Sequence, residues 1–245
     1  MKTITIFLLL TLPILAYSQY PDGREILDRI EQNMSARNMV HTSKMIIHGK
    51  RGDRTIESKS WIVGEEKSFT EYLNPAREKG TKMLKLGDQL WLYSPSTDRT
   101  IQISGHMLRQ SVMGSDLSYE DLMDDTKLAD HYDSRVTGEE IFNDRDCWIV
   151  ELNATDNLVA YPRRIVWVDK ARYVPLKEEL YAKSDKLLKK TVLSDVKKIQ
   201  GKWYPTHITF KDMLKTGDGT EFIIEEIQFN VDIPDYIFSK ASLKK

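Results

Sequence analysis

The sequence predicts a mainly β protein of the α+β class, built on one large, curved antiparallel sheet that forms an unclosed β-barrel. Apolar and polar residues alternate with a period of two through most of the chain, as in strands with one buried face. This alternation stops at residues 104–130, where apolar residues recur at helical spacing. A helical insert between two runs of strands must lie on a sheet face or across the mouth of a barrel, so we expect a lid.

The first 18 residues are expected to be a secretory signal peptide. Lys2 supplies the positive start, residues 4–15 form an apolar core, and residues 16–18 fit a small-x-small cleavage site. The apolar core is too short to span a bilayer, and a buried N-terminal strand is the alternative interpretation. Cleavage would leave residues 19–245 as a single soluble domain in the periplasm.

In chain order, a helix is predicted first and strands follow it. Residues 21–34 combine an apolar stripe at helical spacing with a capping box formed by Asp22 and Glu25. Strands are expected before the insert at 41–50, 55–63, 67–73, 81–86, 89–93 and 99–103. They resume after it at 135–142, 147–153, 163–169, 174–183, 187–199, 203–214 and 221–231. A single sheet of about a dozen strands must curl or split, which favours an incomplete barrel with the helices against its concave side.

Composition narrows the classes of function. The 36 basic and 37 acidic residues are well mixed and give a net charge of −1, so no basic face for nucleic acid is visible. Cys147 is the only cysteine and lies in an apolar strand. An internal disulfide is therefore excluded, and a buried thiol is favoured over a nucleophile.

The insert is rich in side chains that could serve catalysis or bind a metal: His106, Asp116, Glu120, Asp121, Asp124, Asp125 and His131. However, no His-x-x-x-His or His-Glu-x-x-His spacing occurs among them. Ser118 and Asp121 instead predict a capping box, and Gly114 predicts a bend between two short helices. The aspartates at 124, 125 and 130 are expected to be solvated. We therefore predict no catalytic residue, no metal and no cofactor.

Apolar side chains favour a binding role for the insert. Its methionines are long and flexible, which suits a surface that adapts to variable ligands, although simple core filling is the alternative. Arg109 is the charge within this apolar part, where it could join lid carbonyls to the barrel, meet an anionic headgroup, or be solvated. The predicted lid and cavity walls are Met107, Leu108, Arg109, Val112, Met113, Leu117, Tyr119 and Leu122 in the insert, with Trp61, Phe69, Met83, Trp91 and Tyr93 on the strands.

Six stretches carry a family resemblance: 73–81 (LNPAREKGT), 90–96 (LWLYSPS), 107–116 (MLRQSVMGSD), 118–122 (SYEDL), 174–177 (VPLK) and 220–222 (TEF). Together they resemble the outer-membrane lipoprotein-sorting family, whose fold is that of the LolA/LolB lipoprotein carriers. The likeness to the carriers themselves is at the level of the fold. It implies an unclosed antiparallel barrel with a helical lid over an apolar cavity that takes lipoprotein acyl chains. It also implies a companion of membrane exporters of the resistance-nodulation-division (RND) type.

Three functional hypotheses follow. The first is a periplasmic carrier or chaperone that binds a lipidated protein or lipid-like molecule without catalysis. The second is a binding or sensing module that docks on an envelope transporter. The third is an envelope hydrolase that uses the acidic insert.

Overall fold

The computed structural model describes residues 20–124, 127–157 and 159–244 of the 245-residue chain. The signal peptide expected at residues 1–18, and Asp125, lie outside these described residues. Helix α1 is Gly23–Met34. The strands are β1 Asn38–Ile47, β2 Arg54–Val63, β3 Lys67–Asn74, β4 Lys82–Leu86, β5 Gln89–Ser94, β6 Arg99–Ile103, β7 Tyr132–Phe142, β8 Arg145–Ala154, β9 Arg163–Asp169, β10 Pro175–Tyr181, β11 Leu187–Ile199, β12 Lys202–Asp212 and β13 Thr220–Phe229.

The thirteen strands form one antiparallel sheet in the order β6-β5-β4-β3-β2-β1-β13-β12-β11-β10-β9-β8-β7. Strands β1 and β13 pair in the middle of this order, whereas β6 and β7 stand at its two ends and do not pair with each other. The predicted mainly β fold, with an N-terminal helix and an unclosed sheet, is therefore confirmed. Because the insert joins β6 to β7, it links the two edges of the sheet.

Helix α1 begins as the sequence predicts but is capped more simply. The Asp22 side chain accepts a hydrogen bond from the Arg24 N–H at 2.9 Å, while Glu25 forms an ion pair with Arg29 at 3.0 Å. The buried stripe of the helix packs on strands β8 and β9, where it meets Val150, Leu152, Val166 and Val168. None of the described helices has the length and apolar character needed to cross a bilayer.

Helix α1 and the insert cover the same face of the sheet, called here the inner face. Directly paired residues on neighbouring antiparallel strands point to the same side. Such a row runs from Thr220 through Phe210, Thr191, Glu178 and Val166 to Val150. Thr220 bonds to the insert at one end of the row, and Val150 packs against α1 at the other.

Other segments cover the outer face. Two 3₁₀ turns, Asp235–Phe238 and Lys240–Lys244, lie over β3–β5 and bury Phe238 and Leu243 against them. Further along the outer face, Cys147 is buried beside Trp167 and Leu176, as expected for a structural thiol. The sheet is thus apolar on both faces, and each face has its own cover.

Candidate functional site

The insert is made of short pieces, not two regular helices. It contains 3₁₀ turns at Gly105–Arg109 and Val112–Gly114, helix α2 at Tyr119–Met123 and helix α3 at Leu128–His131. The predicted bend is present, because Met113 and Gly114 have φ values of 52° and 78°. The predicted capping box of Ser118 and Asp121 starts α2 and is confirmed.

The apolar side of the insert rests mainly on the first half of the sheet, strands β1–β6. Val112, Leu117 and Tyr119 are buried at the centre of this interface. Met107, Leu108, Met113 and Leu122 are half-buried around them. The opposing residues come from six consecutive strands: Met45, Ile47, Ile56, Tyr72, Met83, Leu90 and Ile103. The structure therefore brings together the seven apolar candidates of the insert and Met83.

The other four strand candidates do not face the insert. Trp61, Phe69, Trp91 and Tyr93 lie on the outer face, where the 3₁₀ turn at Asp235–Phe238 and its successor cover them. Their placement as cavity walls under the lid was wrong because β2–β5 carry apolar residues at consecutive positions. Alternation cannot assign a buried side when both sides are buried.

Three aspartates of the insert bind the second half of the sheet, and Asp116 is the most deeply placed. Its Oδ1 accepts the Asp212 N–H at 2.9 Å, and its Oδ2 accepts the Thr220 hydroxyl at 3.0 Å. Its own N–H donates to the Thr220 Oγ1 at 3.0 Å. Asp116 is only 8% exposed, so these bonds satisfy an otherwise costly buried carboxylate. It therefore anchors the insert to β12 and β13.

Asp121 is the second anchor. Besides closing the capping box, its carboxylate pairs with Lys189 of β11 and accepts a hydrogen bond from the Tyr161 hydroxyl. Burial alone would raise the pKa of this carboxyl, but the Lys189 ammonium and the donated hydrogen bonds outweigh it and hold the pKa below its usual value. Burial and the neighbouring Asp121 charge raise the pKa of Tyr161, so its hydroxyl stays a donor.

Asp124 is the third anchor, and the expectation that it is solvated was wrong. It pairs with Arg164 of β9, a side chain that is 5% exposed and would be costly to bury without a counter-charge. Asp130 fits the expectation better, since it is largely exposed and lies 3.9 Å from Arg24. The acidic insert is therefore mostly a set of attachments to the sheet.

Two cations complete the attachment. Arg54 of β2 donates to the Met113 carbonyl, which is the bridging role considered for Arg109. Lys215 donates to the Ser111 hydroxyl at 2.6 Å and to the Ser115 carbonyl. Arg109 itself is exposed. Sequence reasoning missed the contacts between the insert and the sheet because the two residues of each pair lie 40 to 104 positions apart in the chain. No pattern of spacing marks such pairs.

A groove separates the insert from β11 and β12. Its volume is about 370 Å³, and its lining includes Arg109, Ser118, Tyr161, Leu188, Lys189 and Leu214. The groove opens on the side where the insert is held by polar bonds. The groove is amphipathic, with aromatic and aliphatic walls beside a lysine.

The geometry gives little support to catalysis. The carboxylates of Asp116, Asp121 and Asp124 are all engaged in bonds to the sheet, and His131 pairs with Asp156 at 3.2 Å. Within the described residues, no group of His, Cys, Asp and Glu side chains is arranged to hold a metal ion.

Comparison with known proteins gives a family and a fold. A family model with the description "Uncharacterized protein" matches residues 64–245. No curated protein matches the sequence. A DUF1329 family protein from Desulfovibrio piger is 26% identical with a TM-score of 0.82, and the match covers 90% of this chain and 97% of that chain.

Two further solved structures extend the likeness. A putative outer membrane lipoprotein-sorting protein domain from Vibrio parahaemolyticus is 28% identical with a TM-score of 0.78, covering 91% of this chain and 98% of that chain. A LolA superfamily protein from Nitrosomonas europaea is 24% identical with a TM-score of 0.75, covering 91% and 100%. The resemblance found in the sequence is thereby confirmed.

Proposed function

Because the chain belongs to the family whose model covers residues 64–245 and shares the fold of lipoprotein-sorting and LolA superfamily proteins, we propose that it is a periplasmic carrier of a lipidated protein or lipid-like molecule. In this proposal an acyl chain binds between the insert and the inner face of the sheet. The protein performs no chemistry on this ligand. The description of the Vibrio parahaemolyticus relative as a lipoprotein-sorting domain supports this class of ligand.

The observation that carries the proposal is the two-sided character of the insert. Its contact with β1–β6 is mainly apolar, apart from the Arg54 bond to the Met113 carbonyl. Its contact with β9–β13 combines three carboxylates and their partners with apolar packing on Phe210 and Phe222. The groups that bind the insert to β9–β13 can exchange their bonds for bonds to water, so this side of the insert can detach at a small net cost. The apolar contact with β1–β6 has no such substitute in water and requires an apolar ligand. An acyl chain can supply that replacement in the place of Val112, Leu117 and Tyr119.

The magnitudes are consistent with such an exchange. An acyl chain of about fourteen methylenes gains on the order of 10 kcal/mol on burial at ~0.8 kcal/mol each. The Asp116 attachment, with two accepted bonds, would cost roughly 3–5 kcal/mol to break, and the Asp121 and Asp124 attachments about 1.5–3 kcal/mol each, which gives roughly 6–11 kcal/mol for all three. The ligand can therefore offset the opening of the insert, and the closed form protects the apolar surface when no ligand is bound.

A reversible lock on the insert tests the proposal. The Thr220 hydroxyl lies 3.0 Å from both the N and the Oδ2 of Asp116, so cysteines at these two positions should be close enough to form a disulfide. We expect oxidised Asp116→Cys/Thr220→Cys to reject a fluorescent fatty acid and the reduced protein to bind it. Both single variants and the wild type, treated identically, are the controls.

Two results would contradict the carrier function. Equal binding by the locked and unlocked forms would show that the ligand does not enter beneath the insert. The carrier function itself would be contradicted if the wild-type protein binds no fatty acid probe and carries no lipid by native mass spectrometry after export.

The proposal includes a membrane exporter of the RND type as donor or acceptor. Its support is the family resemblance, since a carrier needs a protein from which, or to which, it passes its cargo. Photo-cross-linking from Arg109, exposed at the rim of the groove, should then capture an exporter subunit in cells. Capture by a protein that never contains lipid would instead favour a docking module.

A further inference from the structure

We propose that the end of the barrel beside the groove is a contact site for an anionic bilayer surface. The site consists of two neighbouring segments, residues 183–190 and 211–218, called here the basic tip. They are adjacent because β11 pairs with β12, and the Met213 N–H donates to the Leu188 carbonyl at 2.8 Å. This inference goes beyond lipid carriage, since it concerns the surface on which the protein works.

The apolar part of the tip is an exposed pair of residues. Met213 is 44% exposed and Leu214 is 61% exposed. Among the described residues, the other large exposed apolar side chains are Ile101, Ile141 and Tyr236, each isolated from the rest in sequence. Single exposed apolar residues are ordinary on protein surfaces, but a consecutive pair at the apex of a turn is suited to enter a lipid interface.

The pair is held in a defined turn. The Leu214 N–H donates to the Asp212 Oδ1 at 2.9 Å, and the Lys215 N–H donates to the Asp212 carbonyl at 3.1 Å. The Lys211 ammonium donates to the Lys215 carbonyl at 2.8 Å. These bonds order the backbone before any contact is made, so docking costs little conformational entropy.

Charge identifies the partner as an anionic bilayer. The tip contains six lysines and three aspartates, within a chain whose net charge is −1. Lys189, Lys190 and Lys211 form ion pairs with acids outside the tip, so Lys183 and Lys186 carry the charge available to a membrane. Lys183 and Lys186 are exposed. The exposed acids of the tip are Asp185, which pairs with Arg163, and Asp218. Each lysine held near an anionic membrane strengthens binding by about fivefold. An apolar apex with lysines around it matches acyl chains bordered by anionic headgroups.

The tip is continuous with the groove and with the lid attachments. Leu188 and Leu214 belong to the tip and also line the groove, so a lipid leaving the bilayer would reach the groove without crossing water. Lys215 and Asp212 hold the insert through Ser111 and Asp116. Contact of this turn with a bilayer would therefore occur directly beside the bonds that must open.

Vesicle flotation tests the inference with the exported protein. The vesicles are phosphatidylcholine alone, or equal parts phosphatidylcholine and phosphatidylglycerol. We expect the wild type to float with the mixed vesicles, and Met213→Ser/Leu214→Ser to lose on the order of tenfold in affinity. Lys183→Glu/Lys186→Glu should lose the preference for phosphatidylglycerol. Ile141→Ser is the matched control, because Ile141 is 69% exposed near the far end of β7.

Each outcome decides the inference. It is overturned if the wild type does not float, if the serine double variant floats like Ile141→Ser, or if binding ignores lipid charge. Lys183→Glu/Lys186→Glu lies outside the groove lining and should still bind the fatty acid probe in solution. Vesicle binding without probe binding would contradict the carrier function and support membrane contact through the basic tip. Probe binding without vesicle binding would support the carrier function and contradict membrane contact through the tip.

Discussion

Asp116 is expected to control the closed position of the insert more strongly than any other residue of the site. Its carboxylate accepts bonds from the Asp212 N–H and the Thr220 hydroxyl at 2.9 and 3.0 Å in a nearly buried position. A hydrogen bond to a charged acceptor contributes about 1.5–3 kcal/mol, so Asp116→Ala should weaken the closed state by roughly 3–5 kcal/mol.

This magnitude predicts a local change that can be measured. Since 1.4 kcal/mol corresponds to a factor of ten, the open population of the insert should rise by about two to four orders of magnitude. Amide hydrogen exchange should show that gain in residues 105–123. A larger binding-competent population should also speed uptake of the fatty acid probe.

Thr220→Val is the matched partner variant, because it removes the hydroxyl and keeps the shape of the side chain. The double variant should be less destabilised than the sum of the single variants by about 1–2 kcal/mol, as expected for residues in one bond network. The reasoning would be refuted by insert protection within threefold of wild type, or by equal loss of protection in β8 and β9. The second result would mean that Asp116 supports the whole fold instead of the insert.

Three further predictions concern other parts of the molecule. Hydrogen bonding to Glu221 raises the pKa of His48, so this stabilisation is complete below the unfolded pKa of about 6.5 and is lost as pH rises through the folded value. The melting temperature should therefore fall more from pH 6.5 upward in the wild type than in His48→Gln. Burial raises the pKa of Cys147 to about 11, so a thiol reagent at pH 8 should modify it only after denaturant unfolds the protein. Gly23→Ala should destabilise the protein by about 1–3 kcal/mol in urea unfolding, because the added Cβ would lie 2.7 Å from the Ser134 backbone.

Controls separate these effects from general damage. Asp28→Ala changes an exposed position of the same helix and should leave the unfolding midpoint near that of the wild type. Equal pH profiles for wild type and His48→Gln would contradict the proposed pairing. Rapid modification of Cys147 in the folded protein would show that its strand opens readily.

The strands and the antiparallel hairpins that join them could be predicted because the signal is local. Strands β6, β9 and β11 begin and end at the predicted residues, and the insert lies where the alternation stops. Period-two patterns and turn residues act between near neighbours, and every hairpin here joins strands that are consecutive in sequence.

The faces of β3–β5 could not be predicted in the same way. Met83 and Leu84 are both apolar, as are Leu90 and Trp91, and either parity satisfies the pattern. The segment that buries the outer side chains comes more than 130 residues later, at Asp235–Phe238. The lid anchors depended on equally distant partners. Both features belong to the tertiary packing, which a local pattern does not contain.

The position of the insert between the two edge strands also determines how the chain can be divided. A cut inside the insert would break no strand pairing, since β1–β6 and β7–β13 are each complete and their ladders meet where β1 pairs with β13. Two separately produced halves should therefore reassociate along that ladder, from Met39–Phe229 to Ile47–Thr220. The insert between β6 and β7 is therefore a suitable place to split the chain for fragment complementation. Inserts of other sequence could also be exchanged at this position while the sheet stays intact.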